Sequence, residues 1–213
     1  MRSPVTSAEG CENVTMQRKV KLDKIANILN GLPSGRLLGK ANTTGVIRYN
    51  FIQPNNLGIF NDILGTSEIK GHTAVDDSYF IRQNDILLKR LNPDIATLII
   101  EDMPNTLFSS NLFVIRLVKD YHPAYIASLL ENKGMNWLNS NIIGSAAAIK
   151  SISAKSLAML DIPAIDYYKQ KAIGQMWLLY KKRRKLLVNM IEEDRKLMAA
   201  VINNIAASTE EEV

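Results

Sequence analysis

The last quarter of the chain decides the fold, and residues 170–205 read QKAIGQMWLLYKKRRKLLVNMIEEDRKLMAAVINNI. All seven prolines lie at or before Pro163, and beyond it the only glycine is Gly174. Because proline and glycine are the residues that disfavour helix interiors, the composition predicts one uninterrupted helix from Asp166 to about Ser208. At about 1.5 Å per residue it would be roughly 60 Å long. A single compact domain cannot cover that length, so we expect the helix to protrude.

One face of this helix carries an apolar stripe with coiled-coil spacing. Two series of positions seven residues apart start at Ile173 and at Trp177, and the only polar members are Arg184 and Asp194. Charged residues, among them Lys182 and Glu193, occupy the intervening positions, as expected for a coiled coil. The pattern predicts dimerisation through eight residues: Ile173, Trp177, Tyr180, Leu187, Ile191, Met198, Val201 and Ile205. In an antiparallel dimer Arg184 could pair with Asp194.

Before Pro163 the sequence changes to short β-branched and aromatic segments separated by turns. Strands are predicted at 46–52, 86–91, 96–100 and 112–117. A helix is predicted from Pro123 to Lys133, with Gly134 as its stop signal. We therefore predict an α+β fold in which a sheet-rich domain precedes one long helix. The predicted divisions are a disordered N-terminus at 1–15, a domain at 16–165, a helix at 166–207 and a disordered tail at 208–213.

Composition limits the class of protein. The chain has 213 residues, of which 46% are hydrophobic and 22% are charged, so a folded core is expected. One cysteine, Cys11, cannot form an internal disulfide, and no apolar run suits a signal peptide or a membrane span. These features favour a cytoplasmic protein. A net charge of +5 is compatible with an anionic partner but does not imply one.

Catalytic signatures are scarce. The sequence has no phosphate-binding glycine loop, no Gly-x-Ser-x-Gly motif and no zinc-spaced Cys/His cluster, and its two histidines, His72 and His122, lie 50 residues apart. We predict no cofactor and no metal. The alternative is a Mg²⁺-dependent nuclease, because Asp62 with Glu68 and Lys70 resembles the acidic and Glu-x-Lys elements of such enzymes.

Residues 181–185 form a basic run, Lys-Lys-Arg-Arg-Lys, within the long helix. Five positive charges in little more than one turn could contact the phosphates of a duplex. The other interpretation is a solvated helical face, balanced by the acidic residues 192–194. The sequence leaves both open.

Several short segments follow one another in an informative order. They are IANILNG at 25–31, QNDIL at 83–87, SSNLFVIR at 109–116, PAYIASLL at 123–130, GSAA at 144–147, IS at 152–153, LDIP at 160–163 and QKAI at 170–173. Together they resemble the specificity subunits of type I restriction-modification systems, over roughly residues 20–207. Asn84 stands where a glycine is common in that family, so we expect altered turn geometry there.

The resemblance implies a function. Members of the family usually contain two target-recognition domains, each followed by a long helix, and the two helices pack antiparallel as a spacer. This chain holds one of each and so resembles a half-length form. It could act alone, as a homodimer, with another half-subunit, or be a truncated relic. The resemblance implies non-catalytic recognition of a bipartite double-stranded DNA target, with partner subunits supplying adenine methylation and restriction. The rival hypothesis is a coiled-coil interaction protein that has lost DNA binding.

The candidate DNA-binding residues are polar side chains in or beside loops between strands. They are Ser34, Arg36, Lys40, Arg48, Lys89, Arg90, Asn92, Ser145 and Lys150. The sequence does not distinguish contacts to bases from contacts to phosphates.

Overall fold

The computed structural model describes residues 18–33, 47–71, 75–140 and 151–210. Within these ranges the elements are β1 (Lys19–Lys21), β2 (Ala26–Asn30), β3 (Ile47–Ile52), β4 (Ser67–Gly71), β5 (Ile86–Lys89), β6 (Ala96–Leu98), β7 (Thr106–Phe108), β8 (Leu112–Leu117), α1 (Pro123–Ser140), α2 (Ala154–Ala158), β9 (Asp161–Pro163) and α3 (Tyr167–Glu210). Short one-turn helices lie at 22–24, 54–56 and 77–79. The predicted α+β class, with a sheet-rich part before one long helix, is confirmed. The expected disorder at 1–15 concerns residues outside the described ranges, whereas the tail predicted as disordered from 208 is helical up to Glu210.

The strands form three sheets. A four-stranded antiparallel sheet has the order β2-β8-β5-β6, a three-stranded sheet has the order β4-β3-β7, and β1 pairs with β9. In the three-stranded sheet β3 runs antiparallel to β4 and parallel to β7. Residues 50–52 thereby pair with residues 106–108, more than fifty positions away.

The four-stranded sheet is the middle layer of the domain. From β5, Ile86 and Leu88 face a core shared with α1 and the start of α3, while Leu87 faces a second core on the other side. β8 alternates in the same way, with Ile115 in the first core and Val114 in the second. Because both faces are buried, these strands read as unbroken apolar runs instead of alternating with polar residues.

Helix α1 continues through its predicted stop. The prediction that it ends at Lys133 is wrong, since the helix runs to Ser140. Gly134 is buried within it, and a Cβ at this position would overlap the carbonyl oxygen of Pro93. The glycine therefore lets the turn between β5 and β6 approach the helix closely.

Helix α3 begins at a side-chain cap and packs on α1 only over its first turns. An Asp166 carboxylate oxygen accepts a hydrogen bond from the Tyr168 backbone at 2.9 Å, satisfying a free N–H of the first turn. Gly174 is buried, and a Cβ at this position would lie within 3 Å of the side chains of Ala124 and His122 at the α1 entry. The helix has 44 residues, about 66 Å at 1.5 Å per residue. From 182 to 206 every side chain except that of Glu192 is exposed, so most of α3 extends beyond the domain.

Asn84 adopts a positive φ of 69°, the left-handed conformation that glycine favours. Its backbone N–H donates to the Ile99 carbonyl at 2.9 Å. Asparagine tolerates this conformation better than other side chains do. Asparagine can therefore occupy this turn position, which glycine would also occupy without strain.

None of the helices in the described part of the chain is long and apolar enough to cross a membrane.

Candidate nucleic-acid interface

The structure describes four of the nine predicted DNA-binding residues. Lys89, Arg90 and Asn92 lie together at the turn between β5 and β6, whereas Arg48 lies on β3. The other five are outside the described residues: Ser34, Arg36, Lys40, Ser145 and Lys150.

The β5–β6 turn holds its basic side chains in place. The Arg90 guanidinium lies 5.2 Å from the centre of the Phe113 ring and donates to the Ser110 carbonyl at 3.4 Å. The Lys89 ammonium is 3.6 Å from a carboxylate oxygen of Asp94. Asn92 has a φ of 47° and is exposed. A stacked arginine keeps its remaining donors in a fixed plane, which suits recognition of phosphates or base edges.

Two backbone bridges lie at the same end of the four-stranded sheet. Leu32 bridges Ser109, and Leu91 of the β5–β6 turn bridges Ser151. The segment that starts after Pro33 contains three predicted residues, and the segment that ends before Ser151 contains two more. Described residues at this end thus border both segments. Ser110 and Asn111 of the SSNLFVIR segment lie at this end as well, where their carbonyls accept from Arg90, and they are further candidates.

Arg48 belongs to a second polar surface, on the β3–β4 ribbon. It lies opposite Lys70, and Asn50 lies opposite Glu68, so these four exposed residues share one face. The Arg48 guanidinium donates to both Glu68 carboxylate oxygens at 3.3 Å. Arginine, lysine and asparagine side chains are among those that read base edges in the major groove. The alternation of side chains along β3 predicts that Asn50 and Arg48 lie on the same face of the strand. The position of Lys70 on that face follows only from the pairing register of β3 with β4.

Asp62 and Glu68, the carboxylates of the nuclease alternative, do not form a common site. Asp62 forms an ion pair with Lys185 of α3 at 2.9 Å, while Glu68 pairs with Arg48 on the β3–β4 ribbon. Each carboxylate therefore has its own cation. Among residues 18–33, 47–71, 75–140 and 151–210, no three metal-ligating side chains form a group that could hold a metal ion, and His72 lies outside those ranges.

Seven of the eight predicted dimerisation residues are exposed along α3: Ile173, Tyr180, Leu187, Ile191, Met198, Val201 and Ile205. Trp177 differs. It is half-buried against the first core, and its indole N–H donates to a carboxylate oxygen of Glu131 on α1 at 2.8 Å. The heptad spacing alone does not reveal this contact, because α1 is not part of the pattern.

A second apolar stripe runs along another side of α3. Its members Met176, Leu179, Leu186, Met190 and Leu197 are between 55% and 70% exposed. Each step of one residue turns the helix by about 100°. Leu186 and Leu187 therefore point in different directions. The helix presents two apolar surfaces, only one of which is the predicted seam.

The basic run 181–185 does not act as one charged face. Lys181 is buried and paired with Glu131, and Lys185 is paired with Asp62. The Arg184 guanidinium lies 5.9 Å from the Phe60 ring and 5.7 Å from the Tyr180 ring. The interpretation of five charges available to phosphates is wrong, because three of these side chains attach α3 to its own domain.

Comparison with solved structures assigns the fold. The chain matches the S subunit of a type I restriction-modification system from M. genitalium over 88% of its length, at 18% identity and a TM-score of 0.52, covering 45% of that protein. It matches the HsdS subunit from Thermoanaerobacter tengcongensis over 88% of its length, at 16% identity and a TM-score of 0.53, covering 42%. The chain has the fold of a type I specificity subunit.

A third structure, which concerns complex assembly and conformational transition of the type I R-M system, matches this specificity-subunit fold over 84% of the chain. The identity is 16%, the TM-score is 0.61, and 46% of that chain is covered. The present chain thus spans less than half the length of each of these three proteins. Its sequence matches no protein-family model and no curated protein. The fold predicted from the order of the short segments is confirmed.

Proposed function

We propose that this chain is the DNA sequence-recognition subunit of a type I restriction-modification system and has no catalytic activity of its own. The carrying observation is the shared fold with three such structures over 84–88% of the chain. The polar end of the four-stranded sheet and the β3–β4 ribbon supply the basic and amide side chains that DNA recognition needs. In this role residues 16–165 read DNA and the long helix is the spacer.

The proposed active form is a homodimer joined through α3. An antiparallel pairing centred on Asn189 sets Leu187 opposite Ile191, and Tyr180 opposite Met198. The same pairing sets Arg184 opposite Asp194, the two polar members of the stripe. In this antiparallel register the apolar positions face apolar positions and the two charged positions face each other. The stripe can therefore form a two-fold symmetric interface with a second copy of itself. Two recognition domains on such a rod would read a bipartite palindrome, with a spacer set by the rod.

Methylation and cleavage are assigned to partner subunits. The dimer would direct a methyltransferase subunit and a restriction-translocase subunit to the bipartite target in the cytoplasm. The absence of an assembled carboxylate site around Asp62 and Glu68 in the described residues supports this division of labour.

The test is selection of bound DNA from a duplex library that contains long random blocks, using the purified chain at low salt. We expect enrichment of two half-motifs related by two-fold symmetry with a fixed spacer. Enrichment of one continuous asymmetric motif would contradict the dimer. No enrichment, even with the partner subunits added, would favour the coiled-coil interaction protein.

A parallel incubation with plasmid and Mg²⁺ tests the enzyme alternative. We expect intact plasmid. Cleavage that Glu68→Ala abolishes would overturn the non-catalytic assignment.

A further inference from the structure

Lys181 occupies an unusual position for a lysine. Its side chain is on the long helix, yet the residue is only 3% exposed, and lysine is almost never this buried unless it is paired. Its ammonium donates to a carboxylate oxygen of Glu131 on α1 and to the Ile59 carbonyl at 2.8 Å. It also lies 5.4 Å from the Trp177 ring. The other Glu131 oxygen accepts from Trp177, so one carboxylate holds two residues one turn apart on α3.

Ile59 belongs to a different part of the domain from Glu131. It lies in the loop that the Leu57–Ile63 bridge closes, between β3 and β4. One turn beyond Lys181, the Lys185 ammonium pairs with Asp62 of the same loop at 2.9 Å. We call this set of contacts, from Ile59 and Asp62 through Glu131 to Lys181 and Lys185, the helix bracket. It joins α3 at once to α1 and to the sheet that carries Arg48.

Helix α3 is attached to the domain over its first four turns: the Gln170 side chain accepts from the His122 backbone at 3.0 Å, Gly174 packs closely on the start of α1, and Trp177 is half-buried against the first core. The bracket is the outermost of these attachments, about 10 to 16 Å beyond Gly174. Because it lies farthest along the helix, it has the largest influence on the direction of α3. Beyond Lys185 the helix continues for 25 residues to Glu210, with no described side chain buried.

The length of the segment beyond Lys185 makes the direction of α3 important. At 1.5 Å per residue this segment extends about 37 Å, and a tilt of about 5° at the bracket moves its far end by about 3 Å. The rise of one DNA base pair is about 3.4 Å. The sideways shift of the far end is thus comparable to one base pair. In the proposed antiparallel dimer that end lies beside the partner's recognition domain, so the direction of α3 affects where one recognition domain lies relative to the other.

Stability alone does not account for a buried ion pair here. Apolar residues of similar volume often replace such a pair at no cost in stability. The ammonium instead makes directional bonds to two separate elements, and these bonds are satisfied in one orientation of α3.

We infer that Lys181 is a positioning residue that fixes the angle between the recognition domain and α3, and thereby sets the spacer length of the DNA target. The angle is a property of the chain itself, while its effect on the spacer rests on the proposed function.

The angle is tested first by electron–electron distance measurement between spin labels. Labels attached through Asp102→Cys and Asn203→Cys, in a Cys11→Ser background, report the distance from domain to helix end. Labelled chain is diluted with unlabelled chain so that only distances within one chain are measured. We expect one narrow distribution of label-to-label distances for the parent, which is the doubly labelled chain without further substitution. The same is expected for Lys182→Met, the matched control at an exposed position. Lys181→Met should broaden the distribution or add a second distance.

The spacer is tested by the same DNA selection as above. We expect Lys181→Met to enrich the parent half-motifs at two or more spacer lengths, while Lys182→Met keeps one. A merely structural residue would weaken all binding without changing the spacer. If Lys181→Met does not fold, Lys185→Met, which removes only the outer ion pair, must broaden the distances instead.

Two outcomes separate the inference from the proposed function. A parent-like single distance in both Lys181→Met and Lys185→Met overturns the bracket whatever the DNA result is. If the parent enriches no motif, the proposed function fails, and with it the spacer role. The distance measurements then still decide whether the bracket fixes the angle.

Discussion

The Arg116 guanidinium donates to both carboxylate oxygens of Asp85, at 2.8 and 2.7 Å, inside the domain core. Asp85 is 1% exposed, and its carboxylate also accepts from the Arg82 backbone at 2.9 Å. Hydrogen bonding to this carboxylate raises the pKa of Arg116 above its ordinary value. Asp85, the aspartate of the QNDIL segment, thus links the start of β5 to Arg116 on β8. We assign it a structural role.

Asp85→Ala should lower the free energy of unfolding by about 3–5 kcal/mol, because it leaves a largely buried guanidinium without its anion. Urea denaturation followed by circular dichroism measures the loss. Asp77→Ala is the matched control, since Asp77 pairs with an exposed arginine, Arg82, and its removal should cost less than about 1 kcal/mol. Equal losses in the two variants would contradict the structural role.

Gly134→Ala should destabilise the domain by about 1–3 kcal/mol, because the added Cβ overlaps the Pro93 carbonyl oxygen and forces the β5–β6 turn away from α1. Without that contact, alanine would stabilise a helix by up to about 1 kcal/mol relative to glycine. The sign of the change is therefore informative. Asn136→Ala, at an exposed position of the same helix, serves as the control in thermal melts and should be neutral or stabilising.

Acidification should weaken the junction between α1 and α3. His122 Nδ1 is buried without a hydrogen-bond partner, and burial, with a smaller contribution from Lys171, lowers the pKa of His122 below 6.5. The unfolded chain then binds more protons, so the stability contributed by the neutral imidazole is present above pH 6.5 and is lost as the pH falls through the folded-state pKa.

The measurement is the unfolding free energy of parent and His122→Asn between pH 7.5 and 5.5. The parent should lose more stability than the variant over this range. Replacement of the other histidine, His72→Asn, should keep the parental pH dependence. A constant difference between parent and His122→Asn would refute the assignment.

Leu187→Glu with Ile191→Glu should convert the dimer to a monomer, because the charges enter the predicted seam and the exposed apolar area no longer associates. Light scattering at micromolar concentration measures the mass. Leu186→Glu with Met190→Glu is the matched control, since it places the same charges on the second stripe. Dissociation by the control pair alone would move the interface to that stripe, and a monomeric parent would reject the dimer.

Arg48→Ala and Lys89→Ala should each weaken binding to the selected DNA target. Lost discrimination at one base pair, worth about 1–3 kcal/mol, marks a base contact, whereas uniform weakening with a salt slope smaller by about 1 marks a phosphate contact. Glu68→Gln removes the anion paired with Arg48 and should strengthen binding if Arg48 meets DNA. Unchanged affinity in all three variants would remove these residues from the interface.

The sequence by itself determined the elements whose signal is local. A run of 44 residues with a single glycine, no proline and an apolar stripe of helical period favours one continuous helix, and α3 begins at Tyr167, one residue after the predicted start. Strand β8 has the predicted bounds because its six apolar and basic residues lie between turns. The order of short segments also identified the specificity-subunit fold, and three solved structures confirm it.

Tertiary structure alone decided the features that depend on distant partners. From its sequence neighbours Gly134 is predicted to end a helix. In the structure it lies inside the helix, where the absence of a side chain allows close contact with Pro93, some forty residues earlier. Lys181 reads as one charge in a basic run, but Glu131 and Ile59 make it buried. A residue's sequence neighbours fix its backbone preference. Its burial and its charge partner are fixed by whichever segments the fold brings alongside, and local pattern carries no information about those.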